Sequence, residues 1–122
     1  MRSVVGRAVL LMTGALCALA GMGVASAEAG AIRSCSPVLN PYPGTRYEGS
    51  DLRRIRAIGV SCRGARRVAR GAHRRALSLT PPPSGVRRFT WYGWRVTGDL
   101  RGSSDRYVAR RGGRRVRWVF SD

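Results

Sequence analysis

The sequence predicts an α+β fold: one helix packed on a small, largely antiparallel β-sheet, held by one disulfide. Three features carry that expectation. Small apolar residues recur at helical spacing from Cys62 to Ala76, two alternating runs flank Gly112-Gly113, and Cys35 and Cys62 form an even pair once the first 27 residues are set aside.

Those first residues have the three parts of a secretory leader in order. Arg2 and Arg7 are basic, Ala8 to Ala20 is apolar, and Ala25-Ser26-Ala27 offers small residues to a signal peptidase. The apolar run falls short of the roughly 20 residues that a membrane-spanning helix needs. Residues 1–27 are therefore expected to be a cleaved signal peptide, the mature chain to begin near Glu28 in a secreted or extracytoplasmic location, and no transmembrane segment to remain. Cys17 leaves with the leader, and Leu16 before it is too large for a lipoprotein cleavage site. An exported chain left with Cys35 and Cys62 is expected to join them.

From residue 28 to residue 51, Pro37, Pro41, Pro43 and Gly44 are too closely spaced for a helix, so this stretch reads as an extended N-terminal arm with Glu28 to Ser34 mobile. Residues 52–122 are the small α+β domain. Ile55, Ala57, Ile58 and Val60 mark a short strand over Arg53 to Val60. Ser61 is an N-cap, with Val60 positioned as a hydrophobic staple on Ala65. The helix then presents Cys62, Ala65, Val68, Ala69, Ala72 and Ala76 on one stripe, and its side chains are small enough to sit close to a sheet. Pro81-Pro82-Pro83 connects it to the next element. Aromatic and β-branched residues from Arg88 to Thr97 predict one strand. Gly112-Gly113 then turns a hairpin in which Ala109 faces Val116 and Tyr107 faces Trp118. Tyr107, Ala109, Val116, Trp118 and Phe120 share the buried side, and Arg110, Arg115 and Arg117 point the other way.

The string Gly59-Val60-Ser61-Cys62 running into Ala65-Arg66-Arg67-Val68-Ala69, then Gly93-Trp94-Arg95, then Gly112-Gly113-Arg114-Arg115-Val116-Arg117-Trp118, resembles a loose group of small secreted, uncharacterised proteins from GC-rich, actinobacteria-like genomes. The likeness covers Ile55 to Phe120. It implies a second cysteine pair where this chain has Val96 and Ala109, and it implies no activity.

Charge dominates the composition. All 23 basic residues are arginine, against 6 acids, for a net charge of +17. The absence of lysine beside abundant Gly, Ala and Val suits a GC-rich genome. A surface of this sign attracts polyanions and anionic membranes, more strongly at low salt. The candidate anion-binding residues are Arg63, Arg66, Arg67, Arg70 and Arg74 on the helix and Arg110, Arg115 and Arg117 on the hairpin, because a guanidinium makes paired hydrogen bonds to phosphate, sulfate or carboxylate. Trp91 and Tyr92 would add stacking if exposed.

Nothing singles out catalysis. His73, the one histidine, is placed at the boundary between the apolar stripe and the arginine face, with no nucleophile or carboxylate fixed beside it by spacing. Glu48, Asp51, Asp99 and Asp105 fall in turn-like segments, where capping or pairing with Arg is their expected use. One His and two distant Cys make no tetrahedral metal set, and no phosphate-binding loop is present. The chain is expected to be a monomeric, non-catalytic module without cofactor. Its partner would be an anionic envelope polymer, an anionic lipid surface or a protein, with no genomic DNA role. A small disulfide-stapled inhibitor or protein-interaction domain is the alternative, and a hydrolase the third.

Overall fold

A computed structural model describes residues 30–121. The leader expected over 1–27, Cys17 within it, and Asp122 lie outside the described residues. The chain runs β1 (Ile32–Cys35), β2 (Asp51–Ile58), α1 (Cys62–Leu77), β3 (Val86–Trp91), β4 (Trp94–Asp99), β5 (Asp105–Arg111) and β6 (Arg114–Ser121). The strands form one antiparallel sheet in the order β1-β2-β6-β5-β4-β3, with α1 packed across one side. The α+β fold read from the sequence is therefore the fold observed, and Cys35 and Cys62 are joined, their Cα atoms 5.3 Å apart.

The helix begins as its sequence dictates: the Ser61 hydroxyl accepts from the Gly64 amide at 3.1 Å. Ala65, Val68, Ala69, Ala72 and Ala76 are buried, so the helix backbone lies close on the sheet, and the sheet supplies the bulk with Leu52, Ile55, Val96, Tyr107, Val116, Trp118 and Phe120. Tyr107 and Trp118 are Cα partners with rings stacked 5.3 Å apart, and Ala109 pairs with Val116, as the hairpin spacing implies. Of the two turn glycines only Gly112 takes a positive φ, 58°. Val96 and Ala109 are also Cα partners, both buried, so an apolar pair fills the place where the resembled group would carry a second bridge.

The arm contributes more than an extended cover. Ile32–Cys35 zips onto β2 as an edge strand, so Ile32 to Ser34 are ordered by pairing rather than mobile. Val38 bonds Leu52 in both directions at 2.9 and 3.0 Å. Tyr42 is buried, and its hydroxyl lies 2.5 Å from His73 Nδ1.

The single strand expected over Arg88 to Thr97 is two strands. Tyr92 and Gly93 turn the chain with φ of 45° and 80°, and Trp91 pairs with Trp94 across the turn. Positive φ at both central residues is the pattern of a tight hairpin turn, a place for Asn-Gly or Gly-Gly. A tyrosine there reads as strand and hides the turn.

Candidate functional site

With α1 over one side, no element among the described residues covers the other side of the sheet, and the register fixes what that side displays. Arg115 is opposite Arg110, Arg110 is opposite Arg95, and the row ends at Thr90. A second row on the same side runs Arg56, Arg117, Val108, Thr97, Arg88. Adjacent strands lie about 4.8 Å apart and the rows about 7 Å apart, so six guanidinium side chains rise from a small lattice. Neither row contains an acid. Like charges directly opposite one another destabilise a sheet, so the Arg115–Arg110–Arg95 row is held against a repulsive cost. Across β3, β4 and β5 this face dips into a shallow depression of about 660 Å³, lined by Arg88, Thr90, Arg95, Thr97, Val108 and Arg110.

Arg63, Arg66, Arg67, Arg70 and Arg74 are all exposed on the outer side of α1. The eight arginines singled out from the sequence are thus divided between opposite sides of a two-layer domain. Arg110, Arg115 and Arg117 gain Arg56, Arg88 and Arg95 as companions. Arg88 and Arg95 alternate with the inward Phe89, Trp94 and Val96, a signal that the unrecognised turn at Tyr92-Gly93 put out of phase. Arg56 needed the β2–β6 pairing, which joins distant parts of the chain.

The helix side has its own relief. Gly71 leaves no room for a Cβ, because the Trp91 ring rests on the helix backbone there. This contact accounts for a glycine in mid-helix despite its cost of about 1 kcal/mol against alanine. Beside it, Arg67, Arg70, Gly71, Arg74, Trp91 and Tyr92 line an open groove of about 380 Å³.

His73 is not a boundary residue. It is fully buried against Phe120, Tyr107 and Tyr42, with ring centroids 4.3, 5.1 and 5.6 Å away. Its Nε2 finds no hydrogen-bond partner among the described residues. Desolvation, reinforced by the positive charge of Arg87, lowers its pKa to about 3, so it stays neutral. The helical spacing carried the signal: residue 73 follows Ala69 by four and precedes Ala76 by three, within the apolar stripe.

Arg87 is the second core polar group that sequence reasoning missed. It points inward from β3, and its guanidinium donates to the Ala76 carbonyl and, at 3.4 Å, to that of Leu79. A buried cation is tolerated here because the carbonyls at and just beyond the helix C-terminus offer partial negative charge.

The acids do local structural work. The Asn40 amide, at 2.8 Å, and the Arg53 guanidinium, at 2.7 Å, hold the Asp51 carboxyl below its ordinary range. Asp99 is lowered to about 2 by hydrogen bonds from the Arg101 side chain and backbone. Both are ionised at neutral pH. Among the described residues, no three His, Cys, Asp or Glu side chains gather as a metal site, and no helix is long and apolar enough to cross a membrane.

Comparison of the chain with protein-family models, with curated proteins and with solved structures returned no match.

Proposed function

We propose that the protein is an exported, non-catalytic module that binds polyanions through the open side of its sheet. The observation that carries this reading is the Arg115–Arg110–Arg95 row, where three cations stand directly opposite one another with no acid in the row. Codon preference accounts for arginine in place of lysine. It does not account for the acid-free register of two adjacent rows. A repeating anion relieves the repulsion on binding, and Thr90 and Thr97 add hydroxyl donors beside the guanidiniums. The disulfide is compatible with an oxidising compartment, and the only histidine is sealed from any substrate.

Chromatography on immobilised heparin tests the reading. The protein is expected to be retained at physiological salt and released steeply as salt rises, with log affinity falling on log salt by a slope of about 3 or more, as displaced counterions require. Elution alongside a neutral protein of the same size would overturn it.

A further inference from the structure

On the opposite layer, we infer a second site: a single-strand nucleic-acid track along α1, with Tyr92 as its base-stacking platform. Tyr92 is 80% exposed although it sits at a left-handed position, φ 45°, that disfavours a bulky side chain. The ring buries little there, so the fold gains little in return for the strain, and such outliers point toward function. Trp91, seated on Gly71, braces Tyr92 edge-on, with ring centroids 4.9 Å apart and planes at 80°.

Arg67, Arg70 and Arg74 border the groove beside this pair. A second hollow, of about 490 Å³, continues past the aromatics to Arg75 and Ser78. Arg67 to Arg74 spans about 10 Å of helix axis, enough to face successive phosphates of an extended strand. Ligands that alternate planar rings with phosphates satisfy both parts, and a positive groove with an exposed aromatic is how sequence-tolerant single-strand binders are built. A duplex keeps its bases stacked inside, out of reach of a hairpin tip. An anionic bilayer would attract the arginines from Arg63 to Arg75, but it offers no planar ring for Tyr92 to stack on.

The test compares a fluorescent oligothymidylate, inorganic polyphosphate and phosphatidylglycerol vesicles at fixed salt. It uses the wild type and a protein carrying Arg95→Gln, Arg110→Gln and Arg115→Gln, so that the sheet side cannot answer for the track. Tyr92→Gly is expected to weaken oligothymidylate binding about ten-fold or more, as loss of one stacked base requires, and to leave polyphosphate binding unchanged. It is also expected to raise the melting temperature, because glycine relieves the turn, so a lost affinity is not a lost fold. Tyr92→Phe is expected to keep the oligonucleotide affinity. Full retention of oligothymidylate binding by Tyr92→Gly would overturn the inference, and so would an equal loss for polyphosphate or a loss confined to vesicles.

Discussion

Replacing both Cys35 and Cys62 by alanine is expected to lower stability by about 3.5 kcal/mol, the chain-entropy value for a loop of 27 residues. In a domain of this size that corresponds to a fall in melting temperature of roughly 15 to 25 °C, measured by calorimetry or circular dichroism at neutral pH. The bridge fastens a four-residue edge strand to the start of α1, so the loss is expected to appear first as faster amide exchange in β1. A double variant that melts with the wild type would show that β1 and the helix start hold without it.

Acid is expected to destabilise the protein well above the range where its carboxylates titrate. His73 has a pKa of about 3 in the fold, against an ordinary value of 6.5 in the unfolded chain. Below pH 6.5 the unfolded chain therefore takes up a proton that the native state refuses, and stability falls as pH falls until the native histidine titrates near 3. Between pH 7 and pH 4.5 the loss comes to about 2.5 kcal/mol, or roughly 10 to 20 °C in melting temperature. Asp51 and Asp99, lowered rather than raised, withdraw their contributions only below about pH 4. His73→Gln, which keeps a polar group for Tyr42 and cannot titrate, is expected to be nearly flat in that window. A wild type already flat from pH 7 to 4.5 would mean that His73 meets solvent.

What the sequence made legible was whatever depended on neighbours in the chain. The β5–β6 hairpin could be read to its register because two glycines announce the turn and the alternation beside them is clean. The α1 stripe could be read because its apolar residues repeat at three and four. What escaped was either disguised or non-local. Tyr92 hides a turn inside a run of strand-forming aromatics, and Arg87 lies just before the run that the aromatics mark, in phase with Phe89 and Trp91. β1 is too short to announce itself, and its strand state comes from pairing with β2 and from the disulfide.

The arginine site divides along the same line. Arg110, Arg115 and Arg117 were legible as outward residues of one hairpin. Their continuation through Arg95 and Arg88 on one side and Arg56 on the other depends on the strand order β2-β6-β5-β4-β3, which no local pattern contains. The same order separates them from the helix arginines, so a single basic surface becomes two.

On the function proposed above, an ordered row of cations, rather than net charge, binds the polyanion. Two variants of equal charge, set side by side on heparin, test this directly: Arg95→Gln with Arg110→Gln and Arg115→Gln on the open side of the sheet, and, on the helical side, Arg63→Gln and Arg66→Gln with Arg33→Gln, which on β1 is opposite the inward Ala57. The sheet variant is expected to elute at much lower salt, with its salt slope reduced by about 2 to 3, and to melt no lower than the wild type because cross-strand repulsion is gone. The helical-side variant is expected to stay close to the wild type. Equal losses from the two would leave heparin binding to net charge alone and overturn the assignment to the row.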